Sequence, residues 1–366
     1  MESVKVVTFG EIMIRVSAPD CLKFRQSLPG TADLTFAGAE ANVAASLSMF
    51  GCPARFVTAL PTHSIADACI GTLRNLNVDT SAILRRDTGR LGIYFVEKGA
   101  NQRPSTVIYD REGASVARVE PSEYPWDSIF DGAKWFHVSG ITPALSELSA
   151  ATTRAAVRKA REKGLTVSCD LNFRKKLWNW DSSLSPRDLA RKVMAQILPN
   201  VDILIGNEED AEDMLGIKAG DTDVNSGKLD IDRYPQVARE IVRTYPQIRK
   251  VATTLRESVS ATHNNWGAML YDAKNDSCCF APCADGRYAP YEIRDIVDRV
   301  GGGDAFAAGL IYGFLDESLQ KSNQDALSFA AAASCLAHSI YGDFNYSAKE
   351  EILALMKGDS SGRVKR

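Results

Sequence analysis

The stretch IVDRVGGGDAFAAGLI, residues 296–311, places three consecutive glycines and an aspartate between two apolar runs. The run after Asp304 is typical of a buried helix, and the glycines before it leave the first backbone N–H groups of that helix unpaired beside the positive end of its dipole. Such a turn binds anions, and phosphate in particular. Asp304 could then take the proton from a hydroxyl group that attacks a phosphoryl group held by the same amides. The residues alone leave open a simpler interpretation, in which Asp304 only caps the helix.

A second glycine-led turn, Gly38-Ala39-Glu40-Ala41-Asn42, leads into an alanine-rich segment that predicts a helix over residues 41–50. Gly51 suits the end of that helix, because glycine adopts the left-handed conformation that commonly follows a last helical turn. Taken alone, Glu40 and Asn42 would be assigned to helix capping. Two such turns near opposite ends of one chain instead indicate two halves of a single cleft.

Between and after these turns, the apolar patterns of strands alternate with those of helices. Strands are predicted at 4–9, 55–58, 135–138, 165–168 and 202–205, and helices at 65–76, 146–163, 187–198 and 208–215. This alternation predicts a three-layer α/β/α domain around a mostly parallel sheet. The segments at about 12–35 and about 91–118 break the alternation with short runs rich in Ile, Val, Tyr and Phe, which predict a small β-sheet of their own.

The composition narrows the class of protein. The chain has 366 residues, which exceeds the roughly 250–300 residues of a single hydrophobic core and predicts one large domain with an appendage, or two domains. A net charge of −3 without a basic block argues against a nucleic-acid partner, and no apolar stretch is long enough to span a membrane. Eight scattered cysteines without a secretion signal favour the cytoplasm.

The glycine run does not match either of two common nucleotide-binding loops. No Gly-Lys-Ser/Thr follows it, which excludes a P-loop, and Phe306 stands where a dinucleotide-binding fingerprint has its third glycine, which excludes that fingerprint.

The paired glycine turns resemble the two signatures of the PfkB, or ribokinase-like, carbohydrate kinases, and the resemblance runs from Val6 to about Gly358. Within that family the sequence is most similar to the kinases of 2-keto-3-deoxygluconate, through Gly38–Asn42, Tyr109–Arg111, Asp170–Arg174 and Gly342-Asp343. The resemblance implies ATP-dependent phosphorylation of 2-keto-3-deoxy-D-gluconate to its 6-phosphate, with Mg²⁺. It also implies a ribokinase-like domain over residues 1–358, in which the two irregular segments form a β-sheet lid. Residues 359–366 are polar and are expected to form a tail.

The same resemblance implies roles for individual residues. Asp304 would be the general base, and the amides of Gly301, Gly302 and Gly303 would stabilise the transferring phosphoryl group. Substrate contacts are expected from Gly38, Ala39, Glu40, Asn42, Tyr94, Tyr109, Arg111, Arg174, Asp304 and Asp343. ATP contacts are expected from Asn172, Arg174, Thr254, Arg256, Ser258, Gly301 and Gly303. Mg²⁺ is expected to bind through water at Asn207 and Asp210, although these residues also fit a capped acidic first turn of a helix.

The sequence departs from the family pattern at several of these positions. Gly302 replaces the usual alanine, Asp210 the usual glutamate, and Ala37 the first glycine of the N-terminal pair. Thr254–Ser258 stands where a glycine-rich nucleotide loop is common. Two alternatives stay open: a kinase of a neutral sugar such as fructose or ribose, and a relative that binds sugar or nucleotide without catalysis. A lid with one apolar face further predicts a homodimer formed through the lid.

Overall fold

The computed structural model describes residues 4–217, 231 and 233–359. Its strands are β1 Val6–Phe9, β2 Met13–Ser17, β3 Asp33–Ala37, β4 Ala54–Pro61, β5 Ile83–Arg86, β6 Gly92–Glu97, β7 Thr106–Asp110, β8 Trp135–Ser139, β9 Thr166–Asp170, β10 Ile203–Gly206, β11 Lys250–Ser260, β12 His263–Asp272, β13 Ser277–Ala281, β14 Cys283–Ala284, β15 Arg287–Tyr288 and β16 Tyr291–Ile293. Its helices are α1 Phe24–Ser27, α2 Ala39–Met49, α3 Ser64–Asn75, α4 Trp126–Ile129, α5 Glu147–Glu162, α6 Pro186–Ile197, α7 Glu208–Leu215, α8 Tyr234–Thr244, α9 Gly302–Leu315, α10 Asn323–Ala337 and α11 Lys349–Met356.

The main sheet contains ten strands within the described residues, in the order β13, β12, β11, β10, β9, β8, β1, β4, β5, with β16 paired to β12. Neighbours from β11 to β5 run parallel, whereas β12 pairs antiparallel with β11, β13 and β16. Successive residues of β1 face opposite sides of the sheet: Val6 packs in a cluster with α2, α9 and α10, and Val7 in one with α5 and α6. Helices therefore cover both faces of this sheet, and the predicted three-layer α/β/α architecture is confirmed.

The second sheet, which we call the lid, has the strand order β3-β2-β6-β7. Strand β2 pairs antiparallel with β3 and parallel with β6, and β6 pairs antiparallel with β7. The two irregular segments of the sequence thus supply a sheet of their own, although the chain beyond β7 leaves it for a 3₁₀ turn at Ser115–Arg118. The register aligns Arg15, Tyr94 and Tyr109 in one row across the lid. This row faces the three-layer part of the molecule, which we call the body.

Within the described part of the chain, no helix is long and apolar enough to cross a membrane. The same residues contain no group of His, Cys, Asp or Glu side chains arranged to hold a metal ion. The domain bounds, 1–358, and the cytoplasmic location stay predictions. All but the first residue of the predicted tail, 359–366, lie outside the described residues.

Candidate active site

A cavity of about 410 Å³ opens between the lid, the carboxyl ends of the parallel strands and the first turn of α9. Ligands bind at this edge of open α/β sheets. Most of the residues predicted to form the site lie on the wall of this cavity: Gly38, Ala39, Asn42, Tyr94, Tyr109, Arg111, Asn172, Arg174, Asn207, Asp210, Thr254, Arg256, Gly301, Gly302, Gly303, Asp304 and Asp343. The contacts that each of them makes with a ligand stay predictions.

The turn before α9 depends on glycine. Gly301 is the N-cap of the helix and has a left-handed φ of 86°, which residues with a side chain rarely adopt. A Cβ atom on Gly301 would also lie 2.3 Å from the carbonyl oxygen of Asp343. Because the helix begins at Gly302, Asp304 is its third residue, and the interpretation of Asp304 as the helix cap is wrong. The unpaired amides of the first turn and the Asp304 carboxylate therefore share one cavity.

The two glycine-led turns meet at a hydrogen bond. The Asn42 side chain donates from Nδ2 to Oδ2 of Asp304 over 2.6 Å, although 262 positions separate the two residues. Oδ1 of Asn42 in turn accepts the backbone N–H of Gly38 at 3.2 Å. A Cβ atom on Gly38 would lie 2.0 Å from the carbonyl oxygen of Glu11, so only glycine lets the chain approach this closely. The predicted single cleft made of two half-sites is thus present in the structure.

The environment of Asp304 suits a base that works near neutral pH. The pKa of Asp304 is raised to about 7, chiefly by burial and also by the nearby carboxylates of Asp343 and Glu40, whereas the hydrogen bond from Asn42 and the charge of Arg174 oppose the rise. A carboxylate with such a pKa binds a proton readily and is still largely ionised slightly above neutrality. The general-base role of Asp304 gains physical support from this environment and stays a prediction.

Asp170 is a site residue that the predicted set omits. It ends β9 on the cavity wall, and its pKa is raised well above the usual range by burial and by the carboxylates of Asp210 and Asp304. An acid at the carboxyl end of a predicted parallel strand is the signal that could have identified it.

The predicted magnesium residues form the start of α7. Oδ1 of Asn207 accepts the backbone N–H of Asp210 at 2.8 Å, and Oδ2 of Asp210 accepts that of Asn207 at 3.3 Å. Oδ1 of Asp210 also accepts the backbone N–H of Phe173 at 2.9 Å. The alternative of a capped acidic turn therefore describes the local geometry. Burial raises the pKa of Asp210 to about 6 despite these bonds, so its carboxylate, which also faces the cavity, is mostly ionised at neutral pH.

Arg111 reaches the cavity from the end of β7 but already has an anionic partner. Its Nε donates to Oε2 of Glu11 at 2.7 Å, and its Nη2 donates to the same oxygen. The guanidinium also lies 5.4 Å from the ring centre of Tyr109. Glu11 thus holds one edge of the guanidinium group and fixes its orientation on the cavity wall. Sequence reasoning missed Glu11, because a pair of residues that are 100 positions apart leaves no local pattern.

Four buried side chains connect the lid to the body, and we call them the lid network. Nη1 of Arg15 donates to Oδ1 of Asp343 at 2.5 Å, and its Nη2 donates to Asp298. The Tyr94 hydroxyl lies 2.7 Å from both carboxylate oxygens of Asp343. Arg15 is 0% exposed, so these charges are held out of water. Two predicted substrate residues, Tyr94 and Asp343, are therefore bonded to each other.

Two predicted site residues do not reach the cavity wall. Glu40 is buried, and its Oε1 accepts the backbone N–H and hydroxyl of Ser139 at 2.9 and 2.7 Å and the hydroxyl of Thr142 at 3.0 Å. This carboxylate holds the end of β8 beneath the site rather than facing a ligand. Ser258 lies on an exposed part of β11, and the segment Thr254–Ser258 is strand rather than the expected nucleotide loop, because it pairs with β12 throughout.

Sequence reasoning also missed four residues that line the cavity: Asn264, Trp266, Arg299 and His338. His338 packs against the glycine turn, and a Cβ atom on Gly302 would lie 2.8 Å from its Cε1. An alanine at this position would therefore require the imidazole to move. The ring of His338 also contacts that of Trp266, with centroids 5.1 Å apart.

The sequence and the fold are similar to those of known carbohydrate kinases. The family described as pfkB family carbohydrate kinase matches residues 3–347. The 2-dehydro-3-deoxygalactonokinase of Haloferax volcanii is 32% identical over 359 residues, which are 98% of each chain. The structure of 2-dehydro-3-deoxygluconokinase from Thermotoga maritima superposes with a TM-score of 0.86 at 45% identity, over 97% of this chain and 100% of that one. Fructokinase with bound ATP from Xylella fastidiosa shares the fold, with a TM-score of 0.73 at 22% identity over 96% of this chain and 98% of that one.

Proposed function

The chain belongs to the pfkB family of carbohydrate kinases and is a sugar kinase, and from that premise we propose that it transfers the γ-phosphoryl group of ATP to the terminal hydroxyl of 2-keto-3-deoxy-D-gluconate. The observation that carries this proposal is the bond between Asn42 and Asp304 at the N-terminus of α9. It holds a carboxylate with a pKa of about 7 beside unpaired backbone amides. A proton acceptor and an anion site in one cavity are the two elements that phosphoryl transfer requires.

The geometry suggests a separate role in phosphoryl transfer for each of these residues. Asp304 takes the proton of the sugar hydroxyl as the new O–P bond forms and the bond from the γ-phosphorus to the bridging oxygen breaks. The amides of Gly302 and Gly303 stabilise the negative charge on the transferring group. Asn42 holds Asp304 in place through Nδ2. The lid excludes water, which would otherwise accept the phosphoryl group.

The charges on the wall support an acid as the substrate. Arg174 faces the cavity, and among the described residues it donates only to the backbone carbonyl of Phe173, at 2.8 Å, so its remaining donors can pair with an anion. The orientation that Glu11 imposes on Arg111 leaves Nη1 without a partner among the described residues. The unused donors of Arg174 and Arg111 suit the carboxylate of a sugar acid, whereas a neutral sugar would offer them no negative charge.

Mg²⁺ fits this site as a companion of the nucleotide rather than as a resident ion. Both oxygens of Asp210 already accept backbone N–H groups, and the described residues hold no cluster of metal-ligating side chains. Mg²⁺ usually keeps several of its waters and binds phosphate oxygens. We infer that Asp210 and Asn207 contact the hydrated ion, which when bound neutralises charge on the phosphates.

The test is an assay of the purified protein with ATP and Mg²⁺, in which ADP release is followed for four acceptors: 2-keto-3-deoxygluconate, its C4 epimer 2-keto-3-deoxygalactonate, fructose and ribose. We expect turnover with the acids, and loss of turnover on chelation with EDTA that added Mg²⁺ restores. Preference for fructose or ribose would reject the acid assignment. Binding of an acceptor without ADP release would support a non-catalytic relative instead.

We also propose that two copies pair through the outer face of the lid. Leu34, Val16, Phe95 and Ile108 form one row across its four strands, on the face opposite Tyr94. Leu34 is 68% exposed and Ile108 56% exposed, and apolar rows of this kind commonly mark an interface. Light scattering is expected to give the mass of a dimer, and the double variant Leu34→Asp/Ile108→Asp that of a monomer. A monomeric wild type would contradict the proposal.

A further inference from the structure

One wall of the cavity carries the positive charge of two guanidinium groups. Arg256 and Arg299 both line it, and neither forms an ion pair with another described residue. Burial has the largest effect on the pKa of Arg299 and lowers it, and the charge of Arg256 lowers it further. The two guanidinium groups therefore lie close together. The charges of both also lower the pKa of His338, on which burial has the larger effect. Arg15 and Arg111, in contrast, are paired with carboxylates.

Three polar atoms on this wall are buried without a partner, and all three are donors. Nη2 of Arg299 donates to the carbonyl oxygens of Ser260 and Ala261 at 3.1 and 2.8 Å, and to Oδ1 of Asn264 at 3.4 Å. These bonds leave Nε of Arg299 without a partner. Because the guanidinium group needs an acceptor, they also orient the Asn264 amide, so that its Nδ2 is the atom left unpaired.

Trp266 adds a further unpaired donor on the same strand, two residues after Asn264. Its Nε1 has no partner. Asn264 and Trp266 are 0% and 5% exposed, and both line the cavity. Buried donors without partners cost free energy in the absence of a ligand. A group that satisfies these three buried donors, Nε of Arg299, Nδ2 of Asn264 and Nε1 of Trp266, and also pairs with Arg256 carries several acceptor oxygens and negative charge.

We propose that Arg256, Arg299, Asn264 and Trp266, here called the donor wall, form a second oxyanion site beside the glycine turn, which holds the phosphates of the nucleotide that are not transferred. Two guanidinium groups match the charge of a diphosphate better than that of a single carboxylate. The position also agrees, since Arg299 precedes Gly301 by two residues and His338 contacts the turn at Gly302. This inference rests on the proposed kinase function and extends it to residues for which the sequence offered no role, except Arg256.

The experiment measures the Kd of ADP, pyrophosphate and 2-keto-3-deoxygluconate by calorimetry. Asn264→Asp keeps the oxygen that faces Arg299 and presents a carboxylate where Nδ2 was, so it should raise the Kd of ADP and pyrophosphate roughly 10- to 100-fold. Trp266→Phe keeps the ring and removes only the N–H group, and should raise both values by about tenfold or less. A selective loss of sugar-acid binding would instead assign the same oxyanion site to the substrate carboxylate.

The chain offers matched controls. Asn345 and Trp178 are also buried, with Nδ2 and Nε1 unpaired, but they do not line the cavity. Asn345→Asp and Trp178→Phe should therefore leave all three affinities within about twofold. If Asn264→Asp and Trp266→Phe behave like these controls, or if wild type binds no pyrophosphate at about millimolar concentration, the donor wall is not an oxyanion site. Because binding is measured without turnover, failure of the sugar-acid assay would reject the proposed substrate and leave this result standing.

Discussion

Asp304→Asn is expected to lower kcat by about two to four orders of magnitude, the usual contribution of a general base. Asparagine keeps the shape of the side chain and can still accept the hydrogen bond that Asn42 donates, so the Kd of the sugar acid should change little. In wild type, kcat/KM should rise as the pH increases. The apparent pKa of this rise should be near 7, because the pKa of Asp304 is raised to about 7, chiefly by burial. The variant should lose this rise. Steady-state kinetics from pH 5 to pH 9 measures both effects.

The same substitution should stabilise the fold at alkaline pH. The pKa of Asp304 is raised from 3.8 to about 7 in the folded chain, so the stability that the neutral acid contributes is present below about pH 4 and is lost as the pH rises through 7. Asparagine does not titrate. The free energy of unfolding of Asp304→Asn should therefore exceed that of wild type by about 1–3 kcal/mol at pH 8, and the difference should vanish below pH 4. Denaturant unfolding at the two pH values measures it.

Asp325→Asn is the matched control, since Asp325 is likewise the third residue of its helix, α10, and does not line the cavity. It should leave kcat and the pH profile unchanged. Near-normal turnover of Asp304→Asn would remove the general-base role, and a decrease in its stability at pH 8 would show that Asp304 is not held in a destabilised ionised form.

The second large effect concerns the lid network. Arg15→Met should lower the free energy of unfolding by about 3–5 kcal/mol, because it leaves the buried carboxylates of Asp298 and Asp343 without their cation. Methionine fills much of the same volume, so the loss reports charge rather than a cavity. Arg15→Lys, which can reach one carboxylate, should lose less. Denaturant unfolding monitored by fluorescence measures all three proteins.

Arg294→Met tests a surface ion pair for comparison. Arg294 pairs with Glu292 at 2.7 Å, and its side chain is 69% exposed. Removing it should cost less than about 1 kcal/mol. An equal loss for Arg15→Met and Arg294→Met would show that burial adds nothing to the lid network.

The parts of this molecule that the sequence predicted are those with a local pattern. The strand predicted at 55–58 lies within β4, and the helix predicted at 208–215 is α7, because apolar periodicity within a short window determines such elements. The two glycine turns were identified for the same reason, since glycine directly before an apolar helical run is itself a local pattern. The prediction that they form one cleft came from their places near opposite ends of the chain, and the structure brings them together at the bond between Asn42 and Asp304.

The parts that were missed depend on pairs of residues distant in the chain. Arg15 and Asp343 are 328 positions apart, and Arg111 and Glu11 100 positions apart, so no spacing in the sequence relates them. Glu40 shows the opposite case. The resemblance implied a substrate contact for it, but its Oε1 accepts the hydroxyl of Ser139, and Glu40 is not among the residues that line the cavity.

The lid network also determines which pieces of this fold can be exchanged between relatives. Arg15 and Tyr94 belong to the lid, whereas Asp298 and Asp343 belong to segments of the body that flank the glycine turn. A transplanted lid would bury a guanidinium group without a partner, and a body given a foreign lid would bury two unpaired carboxylates. A functional chimera therefore has to take all four residues of the lid network from the same parent. The lid and the loops around residues 298 and 343 then have to be exchanged together.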